Sequence, residues 1–324
     1  MASHAKRMRA QVIEGPGRAV LQRTEIPEPG VGEVRVRLEG SGVCASNLAL
    51  WRGQPWFDYP LRPGAPGHEG WGVVDAVGPE VTEPETGARV ALLSNCAYAE
   101  YDIAPASNVV PLPRSLDSAP FPGEPLGCAI NIYQRCEIKS GHTVAIVGIG
   151  FLGALLTRLA SRSGARVIAI SRRPYALEIA RAYGAAATVP LDVNSNVIER
   201  VRALTGGAGC QRVIEAVGTQ HAIDLASELT AEGARLVIAG YHQDGPRQIN
   251  MQLWNWRGLD VINAHERDPT RYVTGMRAAI DLVVSGALDP FPLITHRFAL
   301  QDLGAALRIL SERPPGFMKA VLMT

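Results

Sequence analysis

From residue 144 onward, apolar residues come in short continuous runs separated by stretches with helical spacing. Val144-Ala145-Ile146-Val147, Arg166-Val167-Ile168-Ala169-Ile170, 187–189, Arg212-Val213-Ile214-Glu215-Ala216-Val217, Arg235-Leu236-Val237-Ile238-Ala239 and Leu259-Asp260-Val261-Ile262 read as buried strands. Between them, 151–163, 174–183 and a stretch around 220–230 read as amphipathic helices, with Pro174 in a first helical turn. Alternation of this kind predicts an α/β domain with a doubly wound parallel sheet. The front third has a different texture. Residues 8–40 read as short strands between Pro/Gly turns, and 33–38 alternates with period two. Residues 71–78 and 89–93 continue the β pattern, and Pro60, Pro63 and Pro66 make the stretch before His68 an irregular loop. A β-rich, partly open barrel is expected there. The tail adds a helix at 273–285, a strand-like 294–298, a helix at 300–311 and a last strand at 319–322, which should pack back on the first domain. The predicted organisation is a β-rich catalytic domain from 1–127 and 268–324, interrupted by a dinucleotide-binding domain at 128–267.

Composition narrows the classes. The chain has 324 residues, enough for two cores, and is 47% hydrophobic and 19% charged, as in an ordinary globular protein. A net charge of +1 gives no reason to expect nucleic acid or an anionic membrane as partner. The five cysteines are scattered and odd in number, without CxxC spacing, so no disulfide framework is expected and a reducing, cytoplasmic setting is. The longest apolar stretch, 144–156, is too short to cross a bilayer. Met1 to Arg7 is polar, has no signal-peptide character and reads as a short extension ahead of a domain starting near Met8.

Two short segments suggest the chemistry. Gly42-Val43-Cys44-Ala45-Ser46-Asn47 and Gly67-His68-Glu69-Gly70 bring a thiolate, an imidazole and a carboxylate, the ligand types of a tetrahedral zinc that keeps one position open. A third segment, Gly148-Ile149-Gly150-Phe151-Leu152-Gly153, follows a strand and opens a helix, the context that makes a GxGxxG meaningful. Gly148 suits the tight turn, Gly150 lets backbone approach a pyrophosphate, and Gly153 lets helix and strand pack closely. At the end of the second strand stand Ser171, Arg172 and Arg173 rather than an acid. A hydroxyl and two guanidiniums can bind a 2′-phosphate, so NADP(H) is expected over NAD(H).

The order Cys44, Gly-His-Glu, strand-GxGxxG and terminal Lys-Ala-Val-Leu resembles the medium-chain dehydrogenase/reductase superfamily, in its zinc alcohol and polyol dehydrogenase branch, from about Met8 onward. The resemblance implies a GroES-like catalytic domain interrupted by a Rossmann domain. It also implies one catalytic zinc at Cys44, His68 and Glu69, with Glu124 at the position where the polyol, sorbitol and threonine dehydrogenases carry a glutamate. The four-cysteine lobe of a second, structural zinc is missing, since only Cys96 falls between Val81 and Tyr101. Ser46 matches a proton-relay hydroxyl, with Glu69 beside it among the catalytic residues, but Asn47 and Ala49 replace the acid and the histidine that follow in relatives. His242 and His265, each after a Rossmann strand, are candidates to end the relay. Ala216, Gly240, Tyr241 and Lys319 join the glycine-rich loop as expected cofactor contacts, and Lys319 matches a basic position on the pyrophosphate.

Asn47, Trp51, Trp56 and Asn131 are the candidate substrate contacts, because tryptophan stacks on sugar and ring faces and amides bond hydroxyls. Trp254 and Trp256 read as interface or cleft residues. The resulting expectation is a zinc-dependent, NADP(H)-linked enzyme acting on an alcohol or carbonyl, with a polyol, cyclitol or sugar derivative preferred, in a homodimer or homotetramer. A zinc-free NADPH-dependent enone or quinone reductase and a non-catalytic cofactor-binding protein remain open beside it.

Overall fold

The computed structural model describes residues 6–192 and 196–324, so most of the N-terminal extension expected ahead of Met8 lies outside the described residues. The chain divides into two compact units, one built from Met1–Cys128 with Asp268–Thr324 and the other from Ala129–Arg267. No helix among the described residues is long and apolar enough to cross a membrane.

The contiguous unit holds a six-stranded sheet, in the order Ala187–Pro190, Arg166–Ser171, Thr143–Val147, Cys210–Glu215, Thr230–Ile238, Asp260–Asn263. Every pairing in it is parallel. That order, winding outward both ways from Thr143–Val147, is the doubly wound Rossmann arrangement. The strands read as unbroken apolar runs because helices cover both faces. Phe151–Arg162 and Pro174–Ala182 follow the first two strands and Gln220–Leu229 the fourth, each with its apolar stripe buried. Among the helices not anticipated are Gly123–Cys136, Val197–Leu204, capped by the Asn196 side chain, and Met251–Arg257, capped by Asn250 and stopped by Gly258 in the left-handed conformation.

The discontinuous unit is β-rich, as expected. Its seven-stranded sheet runs Ile294–Ala299, Lys319–Met323, Glu33–Val43, Gly70–Val77, Arg89–Leu92, Val109–Pro111, with Tyr101–Pro105 also paired to Glu33–Val43. A separate hairpin joins Arg7–Gly15 to Arg18–Glu25. The C-terminal strand lies antiparallel to Glu33–Val43, with Ala320 opposite Val43, and this register carries Lys319 to the end of the strand that leads into Cys44. Helix Leu303–Glu312 buries Leu303, Ala306, Leu307 and Leu310 at helical spacing, in one core with Trp51, Tyr98 and Phe317.

Close packing at the start of helix Phe151–Arg162 yields a test. A Cβ on Gly153 would lie 2.1 Å from the Gly148 carbonyl oxygen, whereas one on Gly150 meets nothing within 4 Å. Gly153→Ala is expected to cost about 1–3 kcal/mol through overpacking. Gly150→Ala should stay within about 0.5 kcal/mol of the unmodified chain, as surface changes do. Denaturant unfolding of the two variants checks this, and equal midpoints would contradict it.

Candidate functional site

In the β-rich unit, the two expected segments converge. Cys44 ends the strand Glu33–Val43, and His68-Glu69 immediately precede the strand Gly70–Val77 that pairs with it. One ligand atom each from Cys44, His68 and Glu69 falls within 4.8 Å of the others. The Nδ1 of His68 sits 2.8 Å from the Pro66 carbonyl oxygen. A carbonyl only accepts, so Nδ1 carries a proton and Nε2 is the nitrogen that can turn its lone pair to a metal once its own proton leaves. Glycines make the close approach possible. A Cβ on Gly42 would stand 1.7 Å from Glu69 Oε2, and one on Gly67 would stand 2.5 Å from the Tyr98 nitrogen.

Glu69 is fully buried and takes its main partner from the far end of the chain. Lys319 Nζ donates to Oε1 at 2.7 Å and lies 2.5 Å from Oε2, which is off the hydrogen-bond direction and has no donor of its own. The expectation that Lys319 meets a cofactor pyrophosphate therefore finds a buried ammonium already engaged by Glu69. Glu124 sits in the first turn of helix Gly123–Cys136. Burial pushes its carboxyl up to about 7, with Glu69 adding to the rise and His68 and Lys319 opposing it. Burial alone would lower the pKa of His68, but the negative charge of Cys44, Glu124 and Glu69 outweighs it and holds the imidazole at about 10. A soft sulfur, a nitrogen and a carboxylate with ligand atoms within 4.8 Å of one another suit zinc, and the charge of Glu124 is felt at His68.

Ser46 is half-buried, and its hydroxyl donates to Asn47 Oδ1 at 3.3 Å. Asn47, expected at the substrate, is instead buried, and its Nδ2 donates to the Tyr98 hydroxyl at 2.6 Å. Tyr98 is itself fully buried, and burial together with Glu69 and Cys44 raises its phenol well above the ordinary value. Trp51, also expected at the substrate, packs into the core with Leu303 and Leu307, because the short helix Leu48–Trp51 turns every one of its side chains inward. Trp56 is exposed, tilted against Phe57.

In the Rossmann unit, Gly148 takes a positive φ of 100° and Ile149 is buried under the turn, while Phe151 and Leu152 begin the helix. The helix N-terminus directs its first-turn backbone N–H groups outward along the axis, a natural seat for phosphate. Ser171 closes the second strand and its Oγ accepts the Arg173 N–H at 3.2 Å. The Arg173 guanidinium reaches back to the Ile149 carbonyl oxygen at 2.9 Å, so it lies against the glycine-rich loop, and Arg172 is exposed. Ala216 and Gly240 follow the fourth and fifth strands. Tyr241 is exposed and stacks on His265, with ring centroids 5.4 Å apart. Burial and Arg267 lower the His265 pKa. His242 has both ring nitrogens engaged, Nε2 by Glu215 at 3.0 Å and Nδ1 by Arg247 at 2.8 Å, which leaves no ring nitrogen free to pass a substrate proton. Asn131 is buried in helix Gly123–Cys136 with its Nδ2 lacking an acceptor.

Cys128, close to Glu124 in sequence and expected as a core or cleft-lining residue, lies one turn after it, and the charges of Glu124, Cys44 and Glu69 add to burial in raising its thiol well above normal. Two residues near these sites, Tyr98 and Glu215, were not singled out from the sequence. Tyr98 had no local signal, since its partners are remote in sequence. Glu215 had one: a carboxylate ending an apolar strand signals a buried charge.

Comparison with known proteins agrees with this geometry. Residues 30–114 match the alcohol dehydrogenase GroES-like domain, and residues 152–283 match the zinc-binding dehydrogenase family. The L-threonine 3-dehydrogenase of Bacillus subtilis is 27% identical, over 92% of this chain and 93% of that protein. The sorbitol dehydrogenase of Gallus gallus is 28% identical, over 90% of each. The crystal structure of a putative zinc-binding dehydrogenase from Sinorhizobium meliloti, bound to NADP, superposes with a TM-score of 0.86 at 26% identity, covering 98% of this chain and 100% of that one. With a GroES-like unit, a doubly wound nucleotide unit and relatives along about nine-tenths of its length, the chain belongs to the zinc-type medium-chain dehydrogenase/reductase superfamily of oxidoreductases.

Proposed function

We propose that the chain is a zinc-dependent oxidoreductase that transfers a hydride between NADP(H) and an alcohol or carbonyl, with a polyol, cyclitol or sugar derivative as the substrate class. The observation that carries this reading is the cluster of half-buried Cys44 and His68 with buried Glu69, whose ligand atoms lie within 4.8 Å of one another. Cys44 and His68 would hold the zinc with carboxylate support from Glu124 and Glu69. The metal supplies a Lewis acid that lowers the pKa of a hydroxyl and polarises a carbonyl. Lys319 balances the charge of Glu69. Glu124 is drawn up to about 7, so near neutrality it can give up a proton on ligation. Cys96 is the single cysteine where relatives carry a structural-zinc lobe, so one zinc per chain is expected.

Ser46 is the hydroxyl placed to take up the proton of the substrate alcohol. Its bond to Asn47, and Asn47's own bond to Tyr98, hold it in place without an acid. With His242 tied on both sides, His265 is the remaining candidate from the sequence to end the relay. On the nucleotide side, Ser171, Arg172 and Arg173 favour the 2′-phosphate, since no carboxylate stands there to repel it. The relative named for sorbitol, together with Glu124, supports a polyhydroxylated substrate. A cytoplasmic homodimer or homotetramer completes the reading.

Four measurements test it. Plasma mass spectrometry of protein purified without chelators should find about one zinc per chain, and near none in Cys44→Ser, because the thiolate is the softest ligand present. With His68 held at about 10, zinc uptake at pH 7 should also release at least one proton, read in weak buffer with an indicator dye. A metal-free wild type with NADPH binding intact would turn the reading to activated alkenes and quinones. Ser46→Ala should lower turnover by about 10²-fold or more, the scale of general acid–base assistance, and an unchanged rate would remove Ser46 from the relay. Arg172→Ala with Arg173→Ala should weaken NADPH far more than NADH in calorimetric titration, and equal losses would mean that the arginines do not read the 2′-phosphate.

A further inference from the structure

Glu215 is the last residue of strand Cys210–Glu215 and is completely buried, yet it belongs to no ion pair with lysine or arginine among the described residues. Its Oε1 accepts the backbone N–H groups of Val217 and Gly218, both at 2.7 Å. Its Oε2 accepts from His242 Nε2 at 3.0 Å. His242 Nδ1 accepts from Arg247 Nε at 2.8 Å, which fixes the proton on Nε2 and aims it at the carboxylate. Arg247 also donates to the Gly218 carbonyl oxygen at 2.9 Å. Gly218 is thus held at its N–H by Glu215 and at its C=O by Arg247, with His242 joining the two.

The turn so gripped abuts the fingerprint loop. A Cβ on Gly148 would lie 2.4 Å from Val217 Cγ2 and 3.1 Å from the Ala216 carbonyl oxygen. On the other side, a Cβ on Gly240 would lie 2.6 Å from Glu215 Oε2. The turn 216–218 is wedged between the first glycine of the loop and the end of the neighbouring strand, at the carboxyl edge where doubly wound sheets take their ligands.

We propose that Glu215, His242 and Arg247 are positioning residues for the dinucleotide, setting the turn 216–218 against which Gly148 rests and so pre-forming the glycine-rich loop. His242 acts here through Glu215 and not as a proton carrier. The proposal rests on the nucleotide reading above. Removing the ring leaves one oxygen of a buried carboxylate without its donor, a loss on the scale of about tenfold in an equilibrium.

Calorimetric titration of the full chain with NADPH, beside its melting temperature, tests this. His242→Ala should bind NADPH about tenfold more weakly at temperatures well below its melting point. His242→Gln, whose amide can donate to Glu215 and accept from Arg247, should return to within about threefold of wild type. Equal affinity in all three proteins overturns the proposal, and so does a weakening in both variants that merely tracks a lowered melting temperature. A wild-type chain that binds neither NADPH nor NADH overturns the nucleotide reading itself, a result distinct from either of these.

Discussion

The ion pair between Lys319 and Glu69 is the constraint on which the β-rich unit turns. Both side chains are buried, and 250 positions separate them. An ion pair in that setting repays its desolvation only when the geometry is tight, and removing one partner alone costs about 3–5 kcal/mol. The pair therefore requires strand Lys319–Met323 to sit in its one register against Glu33–Val43, with Ala320 opposite Val43. That register seats Cys44 and His68-Glu69 side by side, and Gly42 is small enough to let the carboxylate in. The candidate metal centre follows from how the sheet closes.

Around this pair the charges are graded. Cys44, Glu69 and Glu124 bring negative charge into a buried space, and His68 and Lys319 oppose it. Without a metal the site holds protons, on His68 and partly on Glu124. A divalent cation would take over the work those protons do. Asn47 fits the same logic. An acid at that position would add a further negative charge beside Tyr98, whose phenol is already pushed upward by burial, Glu69 and Cys44, and the neutral amide donates to it instead.

The sequence was readable where chemistry and period coincide. The strand Thr143–Val147 with its glycines, the Gly-His-Glu segment and Cys44 are local signals; the strand forms where its apolar run implied, and Cys44 comes together with His68 and Glu69. Lys319, Trp51, Asn47 and His242 were harder, because what each touches is decided by residues far away: Glu69, Leu303, Tyr98 and Glu215. Period and residue type say that a group is polar or aromatic, but not which partner tertiary packing will supply. The helices Val197–Leu204 and Met251–Arg257 were missed because they are short and rest on asparagine caps more than on a long apolar stripe.

The discontinuity of the β-rich unit has a consequence for how the protein comes into being. The nucleotide unit, Ala129–Arg267, is one uninterrupted stretch, so a ribosome has delivered all of it before the segment from Asp268 begins to emerge. The other unit must wait, because strand Lys319–Met323 is synthesised after the whole nucleotide unit and completes both its sheet and its buried ion pair. During that interval Glu69 has no ammonium and the edge of Glu33–Val43 that this strand will cover stays open, an aggregation-prone moment of the kind chaperones attend. The newborn chain is thus folded in its middle before it is folded at its front.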